Sequence, residues 1–287
     1  MRAGVLAALV LAGCVHGPSR PLSIPQDLQA DVGRIRENAA RLVAFERLSS
    51  AAARSLYKVR LVKDPPVLGM VAVRTSWAEA GSVVFLVARP EGGVQVLYEA
   101  RVIDRMGALA AFRRLDEPRP LVGEEEEVWR ARQTVLAQFA GGRSCGAELD
   151  ILVLPREAPD VSFDVFPMPA PRVKWAVSQV LVVRNGHAEF SRDGTMELVV
   201  AGQERFRVSA DGRTVLEHRR VSGECQVRSL DHVNGGSEYI DVTDLAADLP
   251  NEAQLLDSAV LGWNFRIVTR RGVWEVARGD LSFVGTR

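Results

Sequence analysis

Between residues 174 and 221 the chain breaks into apolar runs of strand length, separated by Asn185-Gly186, Asp193-Gly194, Gly202 and Asp211-Gly212. Linkers of the Asn-Gly and Asp-Gly type accept the positive φ that a tight hairpin demands. The runs 175–184, 188–191, 196–201, 203–209 and 213–221 therefore predict a β-meander in which successive strands pair. This stretch limits the fold more than any other, because a chain committed to a run of hairpins must supply helices from elsewhere to cover them.

Helices come from two places. Ser23, Pro25 and Gln26 have the form of a reciprocal helix cap, and Leu28, Val32, Ile35, Ala39, Leu42 and Phe45 follow at spacings of three and four. The stripe predicts a helix packed on the protein's own sheet. Four glutamates, Glu124 to Glu127, open a second helix that reaches about Phe139 and ends at Gly141-Gly142. Their charge suits the positive end of a helix dipole, Glu126 lies one turn before Arg130, and Val128, Ala131, Val135 and Phe139 supply the buried face.

The remaining runs read as strands. They cover 57–62, 67–75, 82–88 and 94–102, with a hairpin turn at Pro90-Glu91-Gly92-Gly93 and a charged, proline-bearing breaker at 116–120. Residues 83–87 are apolar on both faces, as a central strand is, whereas 94–102 alternate like a strand with one wet face. Strands follow at 149–154 and 161–166; Pro167, Pro169 and Pro171 then mark a stiff link between subdomains. A short helix at 251–260 and strands at 265–269, 273–277 and 281–284 end the chain. The fold class is α+β: antiparallel β-meanders with two principal helices, as one domain or as two subdomains spanning 26–155 and 172–287.

Hydrophobic residues make up 47% of the chain and charged ones 25%, which is ordinary for a globular protein and excludes wholesale disorder. The 36 basic and 36 acidic side chains cancel, so no field favours nucleic acid. The N-terminus has a particular address. Arg2 precedes the apolar residues 5–10, a segment too short to span a bilayer as a permanent helix, and Leu11-Ala12-Gly13-Cys14 follows it. These four residues resemble the lipobox of bacterial lipoproteins. That resemblance implies a signal peptide at 1–13, acylation of Cys14 (the palmitate class of modification) and a Pro- and Ser-containing tether at 14–25, with a reach on the order of 30 Å. Val15 is not the aspartate tied to inner-membrane retention, so the resemblance places the lipid-anchored body in the cell envelope, at the outer membrane and facing the periplasm. Once Cys14 is assigned to lipid, Cys145 and Cys225 remain, and in an oxidising periplasm their economical state is one disulfide.

The second half carries further marks. Ser144-Cys145 precedes a strand ending Leu154-Pro155, and residues 206–213 read Phe-Arg-Val-Ser-Ala-Asp-Gly-Arg. Cys225, Pro250 with Glu252, and Val268-Thr269 before Gly272-Val273-Trp274-Glu275-Val276 follow. Together these resemble a group of uncharacterised exported bacterial proteins with no assigned activity. The resemblance covers about residue 124 to the C-terminus and implies a shared fold and the Cys145–Cys225 bridge. Members of that group carry histidines where this chain has Asp244 and Gln254, so no histidine role transfers from them.

Catalytic signatures are scarce. His187, His218 and His232 lack metal-ligand spacing, and the chain has no nucleophile elbow, phosphate loop or dinucleotide fingerprint. Residues 191–195 end in Asp-Gly-Thr like a phosphotransfer loop but read as a hairpin turn. No cofactor and no metal site is expected. Trp263, Phe265 and Trp274 could form an aromatic binding surface, although core packing is the commoner use of such residues. The expectation is a non-enzymatic binding or assembly module on the membrane, with an envelope protein as partner. The alternatives are an envelope hydrolase and a periplasmic inhibitor or immunity protein.

Overall fold

The computed structural model describes residues 21–59, 64–76, 80–88, 93–102, 109–139, 141, 143–145, 147–155, 162–169, 172–175, 180–182, 194–231 and 239–286. The expected signal segment at 1–13, Cys14, the turns expected at 90–92 and 185–186, the strand expected at 188–191, Pro171, His187 and His232 lie outside the described residues.

Helix α1, Gln29–Val59, is the spine of the molecule. Its 31 residues span about 46 Å at 1.5 Å per residue. Leu28, just before it, and Val32 and Ala39 enter one apolar cluster, Leu42 and Phe45 a second, and Leu48, Ala52 and Leu56 a third. Across residues 45–56 only Arg47 and Arg54 are exposed, and Ser49, Ser50 and Ala51 to Ala53 let neighbours pack closely all round. Arg47 and Arg54 lie seven residues apart on one narrow face, so the polar stripe that would reveal the helix period is thin here. This is why the helix runs to Val59, where the sequence suggested a strand over 57–62. The Ser23/Gln26 cap does not form either. The Leu22 amide donates to the Phe283 carbonyl at 2.8 Å, and a single 3₁₀ turn over Gln26–Leu28 leads into α1 after Pro25.

The first sheet comprises β1 (Val67–Ser76), β2 (Ala80–Ala88), β3 (Val94–Val102) and β4 (Leu109–Arg119), paired antiparallel in chain order. Alternation along β2 sorts its residues: Val83, Phe85 and Val87 pack toward α1, while Val84 and Leu86 face helix α2 (Glu124–Leu136). The breaker expected at 116–120 is instead the end of β4. Tyr98 pairs with Arg114 and Val96 with Arg119, so Asp116, Glu117 and Pro118 bulge outward from an edge strand, where a ladder tolerates proline.

Beyond α2 lies a five-stranded sheet ordered β12 (Val215–Arg220), β11 (Glu204–Ser209), β7 (Ser162–Pro169), β6 (Ala147–Pro155), β5 (Arg143–Ser144). Pro167 and Pro169 are not a linker: they sit in β7 opposite Ile151 and Leu149 of β6. Pairing of β7 with β11 ends at Val165, so the missing proline N–H groups fall where no second neighbour needs them. Strands from both sides of the expected subdomain boundary thus share one sheet.

The meander expected over 174–221 is divided between sheets. Strand β10 (Gly194–Ala201) pairs with β8 (Arg172–Trp175) and β13 (Gln226–Asp231), β9 (Val180–Val182) pairs with β8, and β11 belongs to the five-stranded sheet. Residues 172–175 and 180–182 are therefore two antiparallel strands where one was expected at 175–184. The switch occurs at Gly202, whose φ is +96, and Ser222 takes the amides of Gly202 and Gln203 that a hairpin would have used.

The last sheet runs β14 (Tyr239–Asp244), β15 (Asn264–Thr269), β16 (Gly272–Ala277), β17 (Asp280–Gly285). Its first pair is parallel, joined through helix α3 (Glu252–Leu261), because parallel neighbours require a crossover. The disulfide is formed, with Cα atoms of Cys145 and Cys225 5.5 Å apart. Among the described residues no helix is long and apolar enough to cross a membrane.

Candidate functional site

Ionisable groups are costly to bury unless paired, so the place where a fold tolerates several of them is the natural candidate site. Here that place surrounds α3. Asn251 caps the helix, its side chain accepting the amides of Ala253 and Gln254 while the Gln254 carboxamide oxygen accepts the Asn251 amide; Gly262, at φ +75, closes the other end. A helix fixed at both ends holds the side chains between them in register.

Three polar groups run along it. At its start, Glu252 accepts from Asn38 of α1 at 3.1 Å and from Arg205 of β11 at 3.3 Å, and Arg205 reaches Asp164 of β7 at 3.0 Å. The carboxylate side chains are 6 and 7% exposed, and the guanidinium also lies over the Phe166 ring at 5.5 Å. One cation thus serves two buried carboxylates. Beside the cap, Ser222 donates to Gln203 at 2.8 Å, Asn251 donates to the same Gln203 oxygen at 3.5 Å, and Gln254 donates to the Val200 carbonyl at 3.0 Å. Farther along, Asp257 lies against α1, and burial, reinforced by the charge of Glu46, pushes its carboxyl up to about 7. Ser50 donates to Glu46 at 2.9 Å.

No protein-family model matches the chain, and neither a curated protein nor a solved structure matches it.

The residues singled out from the sequence are dispersed. Trp263, Phe265 and Trp274 are 6, 1 and 0% exposed, and the Trp274 indole donates to the Thr269 hydroxyl at 3.2 Å. They fill the core of the last sheet rather than forming a surface, because residues of α1, α3 and β10 pack into the same cluster. His218 is exposed on edge strand β12, lying flat on the Phe206 ring at 4.2 Å and meeting Glu204 at 2.8 Å. Asp244 and Gln254 bond backbone: Asp244 accepts the Gly223 amide at 3.0 Å, and Gln254 reaches Val200. Of the four glutamates opening α2, Glu126 pairs with Arg130 at 3.2 Å as expected, but Glu125 is buried and held by both Nη atoms of Arg119. Among the described residues, no group of three or more His, Cys, Asp or Glu is placed to hold a metal ion.

The sequence did not single out Arg205, Asp164, Glu46 or Asp257, and Glu252 entered only beside Pro250 as part of a resemblance. One signal was available: Asn251 with Gln254 three residues later is a capping box, which fixes where α3 starts and therefore which face Glu252 and Asp257 occupy. Their partners come from strands and a helix up to 214 residues away in the chain, which no local pattern encodes. Chemically the seam can hold a proton near neutrality at Asp257 and tie β7, β11 and α3 together through Arg205.

Proposed function

We propose that this chain is a lipid-anchored binding or assembly module of the cell envelope, acylated at Cys14 and held near the membrane. The observation that carries the reading is the Leu22–Phe283 contact. It pins the chain to edge strand β17 only eight residues after Cys14. Eight residues reach at most about 28 Å, so a lipid on Cys14 would hold the edge of the last sheet close to the bilayer and the body in a restricted set of orientations. A partner at the membrane surface would then meet a preoriented face, which reduces the orientational cost of binding.

The test begins with fractionation. Wild-type protein should sediment with membranes and Cys14→Ser should be soluble and secreted or periplasmic; membrane retention of the variant removes the anchor. Crosslinking in intact envelopes, with Cys14→Ser as control, should then enrich one partner through the anchored form alone. Failure to enrich a partner, together with turnover of an envelope substrate that Asp257→Asn abolishes, would replace this reading with that of a hydrolase.

A further inference from the structure

The disulfide joins two segments whose outer and inner sides differ in character. Outward, Cys225 is exposed and Cys145 half-buried, and Cys145 holds φ at +51, a left-handed conformation that its β-carbon disfavours. Accessible bridges on strained backbone are the ones that exchange with external thiols, whereas buried, relaxed ones persist. Inward, Ser222, three residues before Cys225, accepts the amides of Gly202 and Gln203 at 2.6 Å each. It donates to Gln203, whose side-chain oxygen also receives Asn251, the N-cap of α3. Asp244 holds the next amide, that of Gly223, at 3.0 Å. A continuous set of contacts therefore leads from a bridge open to solvent on its Cys225 side to the start of the helix that carries Glu252 and Asp257.

We propose that the Cys145–Cys225 bridge is a redox-responsive clasp, opened by an external dithiol, that sets the order of α3. A thiolate of the dithiol attacks one bridge sulfur, forming a mixed disulfide and expelling the other cysteine as a thiolate, which takes up a proton. The second thiol of the reductant, losing its proton, then displaces the remaining cysteine. Two electrons pass to the protein, both cysteines end as thiols and the reductant ends as a disulfide. Once open, Cys145 relaxes from positive φ, the segment 221–225 is no longer tied to the β5–β6 turn, and Ser222 disengages from Gln203. The cap of α3 then loses one of its supports, while α2, which the relay does not touch, keeps its order.

The test uses the full-length protein in detergent, treated with dithiothreitol without denaturant and followed by alkylation mass measurement and hydrogen exchange. The expected result is that Cys145 and Cys225 become alkylated and that amides of 252–258 exchange roughly tenfold faster, with 128–136 unchanged. Ser222→Ala, which keeps the bridge, should by itself produce the same rise at 252–258. Three outcomes overturn the proposal: a bridge that opens only in denaturant, an opened bridge with unchanged exchange at α3, or loss of cooperative unfolding throughout the chain on reduction. Unchanged exchange in Ser222→Ala also overturns it, since the relay would then not reach the helix.

Discussion

Gly202 presses against Cys145: a β-carbon built on the glycine would lie 2.6 Å from the Cys145 sulfur and 2.9 Å from that of Cys225. The same glycine holds φ at +96, where side chains are strained whatever the space around them. The place where the chain leaves one sheet for another and the place where the disulfide closes are thus the same few atoms. Gly202→Ala should destabilise the fold by about 2–4 kcal/mol through overpacking and backbone strain together. Urea unfolding of oxidised protein measures this, and a loss below the urea error would mean that the two segments do not pack as described.

Arg205 is shared by Asp164 and Glu252 across three elements. Removing it leaves two buried carboxylates without their common cation, and Arg205→Met should cost about 3–5 kcal/mol. Replacing all three residues with apolar ones of similar volume should recover most of that loss, since an intact buried ion network contributes little beyond a well-packed apolar one. Equal instability of the single and triple variants would count against this account.

Asp257 sets a pH dependence with a definite sign. Its carboxyl titrates at about 7 in the folded chain, because burial and then Glu46 disfavour its charge, against about 4 when unfolded. Between these values the native state holds a proton that the unfolded state has lost, so stability contributed by this group is present in full below pH 4, falls as pH rises and is gone above 7. Asp257→Asn should flatten that part of the profile and raise stability at pH 8 by about 2–4 kcal/mol. Thermal unfolding from pH 5 to 8 measures the difference, and parallel curves for the two proteins would refute it.

Trp274 is fully buried, packs tilted against Phe283 with ring centroids 5.0 Å apart and hydrogen-bonds Thr269. Trp274→Ala should cost about 3–5 kcal/mol. Quenching by iodide distinguishes core from surface use directly: Trp263 and Trp274, each measured with the other tryptophans replaced by Phe, should be shielded in the native state and quenched on unfolding.

A buried salt link shows how much of the fold hides from local reading. Asp64 accepts from Arg114 at 2.7 Å and from the hydroxyl of buried Tyr98, tying the segment before β1 to β3 and β4. Nothing in the sequence around Asp64 points to residue 114, because the pairing depends on the register of β3 with β4 and on the bulge that offsets it. Likewise Glu125 looked like one more carboxylate at a helix start, and only the return of β4 brings Arg119 onto it. On Glu99, burial alone would raise the carboxyl, yet hydrogen bonds from Arg113 and Arg119 hold it below the ordinary value.

Alternation along 94–102, the apolar run in β2, the stripe from Leu28 to Phe45, the cysteine pairing and the closing strands were legible because each depends on side-chain period or on a count of residue types. Tertiary structure decided the rest. It extended α1 through a stretch that is buried except for a narrow face at Arg47 and Arg54 and so shows little period, placed Pro167 and Pro169 in a strand with a free side, split the meander at Gly202, and assembled Asp164, Arg205, Glu252 and Asn38 from four elements. A sequence fixes the conformations its neighbours favour within a few residues; which carboxylate meets which cation depends on distances through space that only the packed chain defines.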